Sequence, residues 1–139
     1  MKEEIIYITP ISMPSSSAAS KRILGNAKMF NYYGYKTVVF SGKNFRSQKY
    51  NYEGIDVFAS GIGIEDSKGL KKFLAYRKTV LHLLKKLNQL NVDKIKCIIV
   101  YGGYSMYIYF LYKWAKKNKV NICFDAVEWY SPKSKFEWL

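Results

Sequence analysis

Five short apolar runs recur along the chain: IIYIT (5–9), KTVVFSG (36–42), IDVFAS (55–60), KCIIVYGG (96–103) and NICFDAV (121–127). Each is nearly continuous rather than alternating, as a strand reads when both of its faces are covered. Stretches with helical spacing separate most of them. From about Ala18 to Tyr33, the residues Ile23, Leu24, Ala27 and Phe30 share one face, and Gly34 supplies the stop. The longest helix is expected from about Lys68 to Leu90. Its apolar stripe is Leu70, Leu74, Leu81, Leu84 and Leu87, with Phe73 and Val80 beside it and lysines opposite. A third helix runs from about Tyr104 to Asn118, and the polar stretch 43 to 54 reads as a loop.

Short buried strands alternating with helices predict an α/β fold, a mainly parallel sheet with helices on both faces. Right-handed crossovers favour the doubly wound, Rossmann-like topology. The 139 residues suit one domain with a sizeable core. In such a sheet ligands sit at the carboxyl ends of the strands, so the loops 10–17, 101–104 and 125–132 matter most. A doubly wound half commonly runs on into a sixth strand or a second domain. The chain stops soon after its fifth run, at KSKFEWL, which raises the expectation that this domain is one part of a larger protein.

The formal net charge is +13, which favours anionic partners such as acidic lipid, nucleic acid or phosphorylated small molecules. Seven Lys or Arg fall between Glu4 and Glu53 with no acid among them, and seven more fall in 68 to 86. A lysine-rich helix of that kind suits an anionic membrane surface, with Lys71, Lys72, Lys78, Lys85 and Lys86 as the membrane-facing cations. A solvated face over a packed stripe is the plainer alternative. The N-terminus, MKEEIIYI, lacks the long apolar core of a signal peptide. The uncharged run Cys97 to Tyr112 has 16 residues and is broken by Gly102-Gly103, too short for a membrane span. A cytoplasmic protein, or one peripheral on the inner face of the membrane, is expected. Cys97 and Cys123 sit alone in apolar runs without metal-ligand spacing, so buried, reduced thiols are expected. No metal and no cofactor is implied.

Three constellations could carry chemistry. SSSAASKR places Ser15, Ser16 and Ser17 at a helix N-terminus with Lys21 and Arg22 one turn in, an arrangement able to hold a phosphate or carboxylate. One serine capping the helix is the alternative. This loop is neither a G-x-G-x-x-G nor a P-loop. YGGY places Gly102, Gly103 and Tyr104 between a strand and a helix, where paired glycines permit close approach to a ligand or simply form a tight turn. Asp125 and Glu128 fall at the carboxyl edge of the last strand. They lie three apart, so they serve one site only if the strand ends between them; otherwise they solvate a turn. His82 lies in the basic helix, far along the chain from these loops, and reads as a surface or boundary residue. No Ser-His-Asp set can be assembled.

Taken in order, these loops resemble the N-terminal half of a GT-B glycosyltransferase of family 4. IIYITP followed by SSSAASKR is similar to the family's first strand, small-residue loop and helix opening. GYKTVVFSG matches its helix stop and second strand through Gly34, Tyr35, Val38 and Val39. DAVEWYSP resembles the family's D-x-H-E-x-x-P run, with Asp125 and Glu128 on its acids and Pro132 loosely placed. Val127 stands where that run has its histidine.

The resemblance implies a retaining enzyme that moves a sugar from a nucleotide-sugar donor to a lipid-linked or glycan acceptor in polysaccharide synthesis. The donor would bind mainly to a C-terminal domain, and residues 1–139 would be the acceptor-side, membrane-facing half, inactive alone. Asp125 and Glu128 are then the candidate catalytic acids, and no nucleic acid is expected as a partner. The alternative is a stand-alone basic module that docks on membrane or nucleic acid without catalysis.

Overall fold

The computed structural model describes residues 3–43, 49–59, 69–102 and 105–126. Six strands form one sheet: β1 (Glu4–Ser12), β2 (Lys36–Lys43), β3 (Lys49–Tyr52), β4 (Ile55–Ala59), β5 (Ile95–Tyr101) and β6 (Asn121–Asp125). Helix α1 (Ala18–Tyr32) follows β1, α2 (Gly69–Leu87) follows β4, and α3 (Ser105–Asn118) follows β5. The strand order is β3-β4-β2-β1-β5-β6, parallel except for the antiparallel edge strand β3. This is a mainly parallel α/β sheet of the Rossmann-like, doubly wound kind.

Alternate residues of the central strands feed two cores. Tyr7, Val39, Val57 and Tyr101 pack with Ile23 and Ala27 of α1. Ile6, Ile8, Val38, Phe40, Ile98 and Val100 face the other way, onto Val80, Leu83 and Leu87 of α2 and Tyr107, Leu111 and Trp114 of α3. Helix α1 stops as anticipated. Gly34 adopts φ +93°, and the Tyr35 N–H donates to the Phe30 carbonyl at 3.1 Å, the i+5 closure of a left-handed C-cap.

The stretch 43 to 54 is not all loop. Lys49–Tyr52 pairs antiparallel with β4, with Tyr52 opposite Ile55. Glu53 and Gly54 both have positive φ, 48° and 84°, the conformation of a two-residue hairpin turn whose twist suits the flanking strands. The hairpin stands where a helix would ordinarily link β2 to its parallel neighbour.

Two packing expectations also change. The apolar stripe of α2 is only partly buried: Val80, Leu83 and Leu87 are in the core, whereas Leu70, Phe73, Leu74 and Leu81 are exposed. The sheet gives the second half of α2 a surface to pack on, and the periodic stripe runs past it. The cysteines are neither solitary nor both buried. Cys97 on β5 is half-buried and Cys123 on β6 is exposed, with their sulfurs 3.5 Å apart. Helix α1 packs over β1, β2 and β4, and α3 over β5 and β6.

Burial, reinforced by the hydrogen bond to Cys123, pushes the Cys97 thiol up to about 12. Because the thiolate is the nucleophile, iodoacetamide near pH 8 is expected to modify Cys123 first. Cys97 should trail well behind, since each pKa unit above the solution pH removes about tenfold of the thiolate. Mass spectrometry of the Cys123→Ser variant checks this: rapid single labelling of that variant would show that Cys97 is not held protonated.

Candidate functional site

β2 and β4 lie to one side of β1, and β5 and β6 to the other, so the chain reverses its direction across the sheet between β1 and β5. The crevice outside the carboxyl ends of those strands is where open α/β sheets hold ligands. The described parts of the three sequence-derived loops, residues 10–17, 101–102 and 125–126, lie at these strand ends.

The loop after β1 is built from its own serines. Ser17 caps α1, its Oγ accepting the Ser20 N–H at 3.1 Å. Ser15 and Ser17 hydroxyls lie 2.8 Å apart, and the Ser15 N–H donates to the buried Ser20 Oγ at 2.9 Å. The capping reading of this loop therefore holds for Ser17. Ser15, Ser16 and Lys21 line an open groove together with Tyr52 and Glu53 of the hairpin turn.

Arg22, one turn into α1, reaches Asp125 at the end of β6. Its Nη2 donates to Asp125 Oδ1 at 2.7 Å, and its Nε lies 3.2 and 3.3 Å from the two carboxylate oxygens. Asp125 also accepts the Tyr7 hydroxyl proton, and Asn26, one turn after Arg22, donates to that hydroxyl at 3.2 Å. The four side chains tie α1, β1 and β6 together at the carboxyl end of the sheet. Gly102 adopts φ +82°, and its N–H donates to the Asp125 carbonyl at 3.2 Å, so the β5 loop is anchored to the same residue.

The electrostatics follow from this geometry. Burial works to raise the Asp125 carboxyl, but the Arg22 and Tyr7 hydrogen bonds outweigh it and hold the group below the ordinary carboxylate range. Burial, followed by the bond to Asp125, pushes the Tyr7 phenol well above its ordinary value. Tyr7 therefore stays a proton donor and Asp125 an acceptor at neutral pH. Asp125 is already engaged by three donors, a state suited to orienting Arg22 rather than to abstracting a proton. Arg22 is half-exposed and keeps donors beyond those spent on Asp125.

The structure thus brings Arg22, Asp125, Gly102 and the serine loop to one edge. Glu128, Gly103 and Tyr104 lie outside the described residues, as does the side chain of Lys72. Lys71, Lys78 and Lys85 are exposed on α2, whereas Lys86 is half-buried and turned toward a separate cavity. Tyr7 and Asn26 escaped sequence reasoning. A tyrosine inside a fully buried strand was the available signal, because its hydroxyl must find a partner. Among the described residues there is no group of three or more His, Cys, Asp or Glu placed to hold a metal ion, and no helix is long and apolar enough to cross a membrane. No protein-family model matches the chain, and no curated protein matches it.

Proposed function

We propose that this domain is the acceptor-side half of a two-domain GT-B glycosyltransferase resembling family 4, with a second domain holding most of the nucleotide-sugar donor. One observation carries the reading. Arg22 and Asp125, 103 residues apart and each picked out by a separate family-like motif, meet in one ion pair beside the β1–β5 crevice. In this reading Asp125 and Tyr7 fix the guanidinium, and its remaining donors bind an anionic or hydroxyl-rich group at the cleft. The domain supplies position rather than bond-making groups, so both cleft walls are needed for transfer.

The test uses the full product of the gene beside residues 1–139. The full product is expected to consume one member of a nucleotide-sugar panel in the presence of lipid from its own cells, and residues 1–139 alone to consume none. Arg22→Ala in the full product is expected to slow transfer by roughly a hundredfold, the size of effect that a small misplacement produces. If the full product consumes no nucleotide sugar, or Arg22→Ala leaves the rate within about twofold, the reading fails.

Helix α2 favours a second reading. Leu70, Phe73 and Leu74, at i, i+3 and i+4, are 74%, 54% and 49% exposed, and the cations Lys71, Arg77 and Lys78 are exposed nearby. Apolar and basic side chains on one exposed helix suit the interface of an anionic bilayer, where each cation adds about 1 kcal/mol. A glycosyltransferase with a lipid-linked acceptor would use such a surface, and so would a membrane-docking module without catalysis. Sedimentation of residues 1–139 with phosphatidylserine vesicles, coupled with no nucleotide-sugar turnover by the full product, would favour the module.

A further inference from the structure

A second cavity lies on the opposite face of the sheet, between α2 and the carboxyl ends of β1, β2 and β4, with a volume of about 140 Å³. Its body is apolar. Phe40 and Phe58 stack at 5.2 Å between ring centroids along one side, and Leu83 of α2 closes it. An apolar cavity of roughly 150 Å³ accommodates a benzene ring, so this partly open space has room for a single six-membered ring.

Hydroxyls of Thr9, Ser41, Thr79 and Tyr107 interrupt the apolar wall, and its charged side chains are of one sign. Lys49, His82 and Lys86 line it, and among the described residues no acid does. The Lys49 charge is already shared, with Asp56 3.4 Å away and the Phe58 ring 5.3 Å away. His82 and Lys86 lie one helical turn apart on α2, so their side chains fall on the same face. Among the described residues neither makes a side-chain hydrogen bond or an ion pair. A half-buried ammonium beside an apolar cavity is an unbalanced arrangement, because burial of a charge is costly until a counter-charge arrives. At the floor, the buried Thr9 Oγ1 accepts the Ile11 N–H at 3.1 Å, which leaves the hydroxyl proton available to a ligand oxygen.

We propose that this cavity is a binding site for a small organic anion, with a ring-sized apolar body seated between Phe58 and Leu83 and one carboxylate on Lys86 and His82. One uncompensated ammonium calls for a single negative charge. The inference does not rest on the glycosyl-transfer reading, since the cavity lies on the α2 face and Arg22 and Asp125 lie on the α1 side.

Benzoate, with benzyl alcohol as its neutral counterpart, is the appropriate probe pair for the 139-residue chain. Titration followed by amide NMR is expected to move the signals of Thr79, His82 and Leu83 with benzoate in the millimolar range or tighter. Lys86→Met keeps the length of the stem and removes the charge. It is expected to weaken benzoate at least tenfold and to change benzyl alcohol by less than twofold. Ala59→Leu, which adds volume inside the cavity, is expected to abolish both, with the fold checked by the remaining amide spectrum. Equal benzoate affinity in the wild type and Lys86→Met, or no shift at these three amides up to about 10 mM, would overturn the proposal.

Discussion

Gly42→Ala is expected to lower stability by about 3 kcal/mol, at the upper end of overpacking costs, and to reduce the melting temperature by roughly 10 °C for a domain of this size. The reason lies in β1. Pro10 has no N–H to give the ladder, and the β1–β2 register slips by one residue between Thr9 and Ser12, a bulge in a central strand. The displaced Pro10 backbone presses directly onto Gly42, where an added Cβ would overlap the Pro10 carbonyl. Backbone cannot swing aside as a flexible side chain can, so one of the two strands must shift. Gly25 provides the internal control. It is exposed within α1 and an added Cβ there meets nothing within 4 Å, so Gly25→Ala is expected to stabilise by up to about 1 kcal/mol through helix propensity. Thermal melts of the two variants check both signs. A Gly42→Ala melting temperature within about 2 °C of the wild type would mean that the β1–β2 contact is looser than described.

Asp125→Asn is expected to lower stability at pH 7 by about 1–2 kcal/mol. Hydrogen bonds to a charged group are each worth about 1.5–3 kcal/mol, discounted here because Arg22 is half-exposed and solvent screens the pair. The pH dependence has a definite sign. The folded carboxyl is held below its ordinary value, so its contribution is fully present above the unfolded value near 3.9. It fades as the pH falls through the folded value, as the carboxylate takes up its proton. Urea titrations of the wild type and Asp125→Asn should therefore differ at pH 7, and the difference should shrink as the pH falls below the ordinary carboxylate range. A double-mutant cycle with Arg22→Met isolates the pair itself. Equal differences at pH 7 and below that range, or no coupling in the cycle, would place the stabilisation elsewhere.

Four of the strands that sequence reading located, β1, β2, β4 and β5, pack on both faces, where β-branched and aliphatic residues predominate; β6 was found by the same kind of run, although its Cys123 and Phe124 are exposed. Lys49–Tyr52 escaped because KYNY mixes charge with aromatics and becomes a strand only by pairing along the outer edge of β4. The Glu53-Gly54 turn was its one local mark. Helix α2 shows the converse limit. Periodicity reveals that an apolar stripe exists, yet Leu70 and Leu74 are exposed because the stripe carries no record of where the supporting sheet stops. At the candidate site, strand ends placed Arg22 and Asp125 at the ligand edge separately. Their meeting depends on the strand order, which no local pattern encodes, and the buried hydroxyl of Tyr7 completes it. In the sequence His82 reads as a surface or boundary residue. It is half-buried, and it comes to line a cavity with Lys86 only once β2 and β4 stand beneath α2.

The central position of β1 also bears on how the chain is made. One edge of β1 pairs with β2, a partner some 30 residues downstream, and the other with β5, about 90 residues downstream. On a ribosome adding on the order of 5–20 residues per second, the first edge is satisfied early. The second, along IIYI, stays open for several seconds until Ile95–Tyr101 emerges. An apolar strand with an unpaired edge is a template for pairing with other chains. Crowding of nascent chains and chaperone supply, more than the stability of the finished fold, should therefore set the yield of soluble protein.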